Sequence, residues 1–280
     1  EVFDEITGEV KSFYETNPFP SYDGIEDFGK LVEKGKASVF SKSLLDSIGH
    51  NKKVLECGCG TGQLSHFLQL NNNYVLGVDL SLHSLKLAQK HKEENNLERC
   101  SFAQMDIFNL ALADESFDVV ISHGVLHHTK DARRAFSEIC RKIKPGGHIV
   151  VGLYNKYARL PTWLRGKVLP LFGHNIDWVV RNKISDKEKA KIWISDQYYH
   201  PHETWHSIDE VLGWFEEENL LFKNVFPGLV ANDHTLNSTS LFCQTDTGSY
   251  FDRLCSQISW LFTISREGAL FDMVAQKPDR

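Results

Sequence analysis

Three features are missing from this sequence of 280 residues, and each absence closes a class of function. It has no lysine- or arginine-rich run, and its 31 Lys and Arg face 37 Asp and Glu, for a formal charge of −6. Such a chain lacks the basic stripe that neutralises a phosphate backbone, which argues against a nucleic-acid partner. Its longest apolar stretches, such as HIVVGLY at 148–154, fall far short of the roughly 20 residues of a membrane span. An integral membrane helix is therefore excluded. Its six cysteines, Cys57, Cys59, Cys100, Cys140, Cys243 and Cys255, show neither the density of a disulfide scaffold nor the two spaced pairs of a metal knot. They read as small thiols of a cytoplasmic, reducing environment. The sequence opens on Glu1, which leaves a preceding or removed segment open. Repeats and low-complexity tracts are missing as well, so organisation must be read from the rhythm of elements.

What is present is a globular composition, 41% hydrophobic and 24% charged, in a length that suits one large domain or a core with an elaborate lid. KKVLEC (52–57) is a short apolar run that ends in a Gly-rich turn. A helical pattern through Leu64, Phe67 and Leu68 follows, then YVLGVD (74–79). Ser81 in N-cap position predicts a helix over 82–94, and CSFAQMD (100–106) and FDVVIS (117–122) read as the third and fourth strands. A helix over 131–142 stops before KPGG (144–147), which is expected to turn the chain into HIVVGLY. Strands alternating with helices imply a parallel, doubly wound sheet. Residues 155–206 break the rhythm with two amphipathic helical stretches. Ser207 and Glu210 form a capping-box pattern for a helix over 207–220. Strands over 221–227 and 269–277, with a helix near 249–262 between them, complete seven strands, the last antiparallel.

The expected architecture is thus a Rossmann-like α/β fold: a seven-stranded, mostly parallel sheet with helices on both faces and a helical cap. Four segments follow: an N-terminal helical lid (1–48), a cofactor-binding core (49–154), a cap or substrate insertion (155–206) and a C-terminal completion of the sheet (207–280).

The loop ECGCGTG places Glu56, Gly58, Gly60 and Gly62 between the first strand and the first helix of the core. Glycines there let backbone approach a ligand, and a helix N-terminus offers free N–H groups. The spacing is G-x-G-x-G rather than the dinucleotide G-x-G-x-x-G, and an acid precedes it, which favours a cofactor without a pyrophosphate. Asp79 ends the second strand, where a carboxylate can accept two ribose hydroxyls. Asp106 stands at the same rim.

In these motifs, VLECGCGTG, GVD, MD, SFDVVISHGVLHH and IKPGGHIVV, the chain resembles the class I S-adenosylmethionine-dependent methyltransferases, among them the ubiquinone/menaquinone-type and other small-molecule enzymes. The resemblance covers about residues 50–154. It implies S-adenosylmethionine as the cofactor. Glu56, Gly58, Gly60, Gly62 and Gln63 would lie at the methionine end, Asp79 and Leu80 at the ribose, and Met105, Asp106 and Ile107 around the adenine. His123 would also touch the cofactor. No metal is implied.

A sulfonium methyl is already activated, so the protein has to align a nucleophile, exclude water and, for a hydroxyl or amine, remove a proton. His123, His127 and His128 follow the fourth strand and are the candidate bases. The alternative is that His123 only contacts cofactor while His127 or His128 packs or caps. Tyr14, Tyr154, Tyr199, His200, His202 and His206 are candidates to face the substrate, against a plain surface loop at 196–206.

H-E-T-W-H (202–206) matches a zincin string, but Pro201 and the following capping box put it in a loop, where the two imidazoles cannot share a helix face. N-P-F-P (17–20) lies before the glycine loop, not after the fourth strand where amino-methylating nucleic-acid enzymes carry a similar string. The stretch FYETNPFPSY (13–22) instead reads as a closure over the cofactor, or as plain packing of Phe13, Tyr14 and Phe19. In the insertion, Trp163, Leu164, Leu169, Leu171, Phe172, Trp178 and Val179 are interspersed with Arg159, Arg165, Lys167 and Arg181. They suit a lid over an apolar acceptor, peripheral contact with a membrane surface, or a plain helical cap. The expected activity is methyl transfer to a small-molecule acceptor. A cofactor-binding regulatory module without catalysis and a nicotinamide-dependent oxidoreductase are the alternatives. Acceptor atom and oligomeric state are not legible.

Overall fold

The computed structural model describes residues 4–20, 27–173, 176–184, 186–229 and 240–279. Its seven strands are β1 (Lys53–Cys57), β2 (Tyr74–Asp79), β3 (Cys100–Gln104), β4 (Phe117–His123), β5 (Ile143–Tyr154), β6 (Leu221–Phe226) and β7 (Leu270–Gln276). They form one sheet in the order 3-2-1-4-5-7-6. The pairs among β1 to β5 are parallel, and β7 runs antiparallel to both β5 and β6. This is the expected Rossmann-like sheet.

Both faces of the sheet are covered because both faces of its strands are apolar. Leu55, Val120, Val151 and Met273 point to one side, into a core shared with α6 (Ala132–Cys140), α10 (Ile208–Glu217) and α11 (Tyr250–Thr263). Their neighbours Val54, Ile121, Val150 and Val274 point to the other, against α2 (Phe28–Ala37), α3 (Val39–Ile48) and α4 (Gln63–Leu68). The period of two along each strand sorts the two cores. α5 (Leu82–Glu94) packs along β3, its first turn capped by Ser81. Ser207 and Glu210 make both arms of the capping box of α10, an arrangement that contributes about 1 kcal/mol.

Four differences from the sequence reading have physical causes. The KPGG run does not precede β5 but lies inside it. Gly146 takes a φ of 73°, and its N–H donates to Lys277 O while Lys277 N–H donates to Gly147 O, so the edge stays paired through the irregularity. β3 ends at Gln104, and Met105 and Asp106 belong to the rim beyond it. The segment 1–48 also packs into the core: Leu31, Phe40, Leu44 and Ile48 are core residues, so α2 and α3 join sheet packing to the rim. α1 (Glu5–Thr16) brings Thr7, Val10 and Tyr14 to the carboxyl edge, where Leu31, Lys34 and Phe40 of α2 and α3 also reach. Finally, among its described residues the insertion holds three α-helices, α7 (Leu160–Phe172), α8 (Trp178–Lys183) and α9 (Lys187–Tyr198).

Candidate active site

Open α/β sheets bind ligands beyond the carboxyl ends of their strands. A cavity of about 480 Å³ lies there, walled by the loops after β1, β2, β3 and β4, by α1 from above and by α9 from the side.

The turn from β1 into α4 holds Gly58 at φ 77° and Gly60 at φ 52°. A Cβ on Gly58 would meet the Val125 side chain at 2.4 Å, and one on Gly60 would meet the Phe19 carbonyl oxygen at 2.2 Å. Gly60 is therefore needed for the chain segment after α1 to close on the loop. That segment is fastened: Phe19 O accepts from Thr61 N–H (3.3 Å), and Pro20 O accepts from Thr61 Oγ1 (2.6 Å) and Gln63 Nε2 (3.1 Å). Glu15 holds the other end by accepting from the Leu82 and His83 N–H groups at the start of α5 (2.7 and 3.1 Å). The segment FYETNPFPSY thus lies on the glycine turn through Pro20; Ser21 and Tyr22 lie outside the described residues.

Asp79 Oδ2 and Oδ1 accept from the Gly60 and Ser81 N–H groups, both at 2.8 Å. Burial pushes its pKa up against these bonds. Each oxygen keeps a further lone pair for a hydroxyl. Glu56 is buried at the floor, bonded by Ser65 Oγ. Burial raises its pKa to about 7, with the Ser65 bond and the nearby His123 opposing. Leu80, Met105, Asp106 and Ile107 line the neighbouring wall, and Asp106 also caps the turn that follows by accepting from Phe108 N–H at 2.9 Å. Gly62 is set back from the cavity, where a Cβ would meet Phe102 and Ala88 at 2.8 and 2.9 Å; its place is in helix-to-sheet packing.

The three candidate bases separate. His123 lines the cavity, stacked on Phe40 at 4.6 Å, with Nδ1 bonded to Asp272 Oδ1 at 2.6 Å. Burial lowers its pKa, but the Asp272 carboxylate outweighs burial and the net direction is up. A carboxylate only accepts, so in the neutral ring Nδ1 carries the proton and Nε2 keeps the lone pair. His128 also lines the cavity. Its Nδ1 donates to His202 O at 2.8 Å, and burial with the neighbouring imidazoles pushes its pKa well down, so it is neutral with Nε2 bare. His127 does not reach the cavity. It is fully buried behind Tyr154, stacked on that ring at 3.8 Å and accepting Tyr154 N–H at Nδ1 (3.3 Å), so its place is behind the cavity wall.

The loop 199–206 folds back on the turn 126–128, with Thr204 N–H donating to His127 O at 2.8 Å. This fold decides the substrate candidates. Tyr14 and Tyr154 line the cavity. His200 stands behind His128 at 3.6 Å, and His202 contributes its carbonyl to that second layer. His206 is bonded to Thr204 and Glu210, and Tyr199 is half exposed on the surface. None of these four touches the cavity. His202 and His206 sit in a loop, as expected, and not on one helix face.

Two carboxylates were missed. Asp272 comes from β7, 149 positions beyond His123 in sequence; the only signal was an acid in the apolar run LFDMVA. Asp196 on α9 is buried in the wall, where it accepts from Tyr14 OH (3.1 Å) and Gln197 Nε2 (3.0 Å). Burial, opposed by the Arg159 charge and these bonds, raises its pKa to about 6. Arg159 itself lies over the Tyr154 ring at 3.7 Å and is tied to Glu203 and Gln197.

These residues fit the cofactor implied by the motifs: a carboxylate for ribose hydroxyls, a buried acid beside the glycine turn, an apolar slot at Met105 and Ile107 and, among the described lining residues, a single lysine, Lys34, where a pyrophosphate would call for a cationic cradle. The comparisons agree. The family described as a methyltransferase domain matches residues 48–218. The ubiquinone biosynthesis O-methyltransferase of Cronobacter sakazakii is 28% identical over 60% of this chain and 61% of its own length. The demethylmenaquinone methyltransferase of Paenarthrobacter aurescens is 25% identical over 76% of this chain and 80% of its own. The chain spans about three fifths of the length of the first curated relatives it matches. In fold, it is similar to the geranyl diphosphate C-methyltransferase of Streptomyces coelicolor A3(2), whose structure holds S-adenosyl-L-homocysteine, with a TM-score of 0.57 at 14% identity over 99% of this chain and 100% of that one. With its sheet order, its glycine turn and a family match over more than half of its length, this chain belongs to the class I S-adenosylmethionine-dependent methyltransferases.

Proposed function

We propose that this protein transfers a methyl group from S-adenosylmethionine to a small, largely apolar acceptor through a hydroxyl or amine. The observation that carries this reading is the His123–Asp272 pair opening on the same cavity as Asp79, Glu56 and the glycine turn. The cofactor supplies an electrophilic methyl group when bound, with Asp79, Glu56, Gly58 and Gly60 as the residues that would hold it. His123 accepts the acceptor's proton at Nε2, and Asp272 holds the ring in the Nδ1–H tautomer and stabilises the imidazolium. Phe40 limits rotation of the ring from one face. Tyr14, Asp196 and His128 line the cavity as polar groups, while Val10, Phe19, Leu64, Trp193 and Leu270 make most of the remaining wall apolar and exclude water. The relatives that methylate quinone precursors, by their names, support an acceptor with an apolar body.

The test is a screen of phenols and amines with apolar bodies, read as S-adenosylhomocysteine formed. With an acceptor found, His123→Ala should lower turnover by about 10²–10⁴-fold while S-adenosylhomocysteine affinity stays unchanged. Normal turnover in that variant would refute the assignment.

A further inference from the structure

The cap contains a helix whose apolar side faces away from the protein. α7 buries Thr162 and Leu169, and Gly166 packs on Tyr198 of α9 at 3.2 Å. At about 100° per residue, those three positions mark the inner face. Leu160, Trp163, Leu164, Val168, Leu171 and Phe172 occupy the opposite arc, and all are exposed, Leu171 by 80% and Phe172 by 70%. The pins that fix the helix, Thr162 Oγ1 and Arg165 Nη2 donating to Ser265 O (both 2.9 Å), join it to the end of α11. One turn before Ser265, Phe262 is 77% exposed. Large apolar groups grouped in this way are rare on a surface that meets only water.

The charge around this face has the opposite sign to the rest of the protein. Of the six Lys and Arg in residues 155–184, against one acid, Asp177, Arg159 is buried and paired with Glu203, which leaves five, within a chain of net charge −6. α7 itself carries Arg165 and Lys167 and no acid. Lys167 lies over the Trp163 ring at 5.2 Å, and Arg165 bonds only to Thr162 and a main-chain carbonyl. Neither is paired with a carboxylate among the described residues. Lys167 within and Arg165 at the edge of an exposed arc of Trp, Leu and Phe match an anionic lipid interface, where acyl chains take the apolar groups and headgroups take the cations.

We propose that the outer face of α7, with Phe262, docks on an anionic lipid surface, in the plane of the interface and without crossing it. No helix among the described residues is long and apolar enough to cross a membrane. The inner face of the same cap, through α9, supplies Trp193, Asp196 and Gln197 to the cavity. Lipid docking and acceptor contact thus share one unit of the fold, although the docking does not depend on which acceptor is used.

The experiment is flotation of the full chain with vesicles of phosphatidylcholine alone or mixed with phosphatidylglycerol, at low and high salt. Binding is expected to the anionic vesicles, weakened by salt. Leu171→Asp/Phe172→Asp should weaken it at least about tenfold, and S-adenosylhomocysteine affinity should report an intact fold. A matched pair in the first turn of α11, Tyr250→Asp/Phe251→Asp, should leave binding in place. Three results would overturn the proposal: no binding to anionic vesicles, equal binding to both compositions, or binding indifferent to the α7 substitutions. A wild-type dimer in light scattering that the α7 variant splits would assign the face to a second copy of the chain instead.

Discussion

Replacing Asp272 by Asn removes one charge and keeps an acceptor of the same shape beside His123 Nδ1, now 2.6 Å from the carboxylate. Two unit charges about 4 Å apart at an effective dielectric of about 20 interact by about 4 kcal/mol. At 1.36 kcal/mol per pH unit, that is about 3 units at most. Burial opposes it and the His123 side chain is 31% exposed, so a fall of about 1–3 units in the His123 pKa is expected. Titration of the imidazole signals by NMR, assigned by comparison with His123→Ala, measures it without an acceptor. Stability gives an independent reading. The folded-state pKa of His123 lies above its ordinary 6.5. The pair therefore adds stability below that pH and loses it as the pH rises through the raised value. Asp272→Asn should destabilise the protein at acid pH by about 1.4–4 kcal/mol, and the difference should vanish at alkaline pH. Once an acceptor is known, the acid limb of the activity profile should move down with the pKa. A His123 titration that stays in place in the variant would refute the coupling, and with it the proposed base.

Asp79→Ala removes a charge-assisted acceptor worth about 1.5–3 kcal/mol, so the Kd for S-adenosylhomocysteine in calorimetry should rise about 10- to 100-fold; unchanged affinity would sink the ribose assignment. The Glu56 carboxyl ionises at about 7, and a ligand ammonium favours the ionised form. S-adenosylmethionine should accordingly bind more tightly as pH rises to about 7 and level off above, with the dependence lost in Glu56→Gln; a flat wild-type profile would contradict it. Gly60→Ala places a Cβ 2.2 Å from Phe19 O at a positive φ, so it should cost about 1–3 kcal/mol in thermal unfolding and speed S-adenosylhomocysteine release by unseating the segment after α1. Wild-type release rates in that variant would show that the segment does not retain the cofactor.

The parts of this protein legible in its sequence are those whose determinants are local. The glycine turn, the acids ending β1 and β2, the Ser81 cap and the Ser207–Glu210 box each act within a few residues, so spacing alone places them. The apolar runs likewise locate the strands, because both faces of this sheet are buried and leave little ambiguity of period. The site's outer half depends on contacts remote in sequence. Asp272 reaches His123 only because β7 inserts between β5 and β6, and nothing near His123 in the chain signals it. The histidines of 200–206 were reasonable substrate groups by type, yet the loop folds back on 126–128 and leaves them in a second layer behind His128 and Tyr154. His127 and His128 are adjacent in sequence and differ in role because a 3₁₀ turn sends one ring to the cavity and the other behind Tyr154. In the cap, apolar periodicity marked α7 as amphipathic but could not tell inward from outward, and only the fold shows that Leu171 and Phe172 face out.

The central claim, that this cavity transfers methyl groups, is tested most directly by incubating the protein with S-adenosylmethionine labelled in the methyl group and a mixed pool of apolar phenols and amines. Mass spectrometry would then follow the label. The account predicts a labelled small molecule formed in equal amount with S-adenosylhomocysteine, and both products lowered about 10²–10⁴-fold in His123→Ala, which still binds the cofactor. Tight cofactor binding with no labelled product from any pool would contradict it, and would point to a binding module in place of an enzyme.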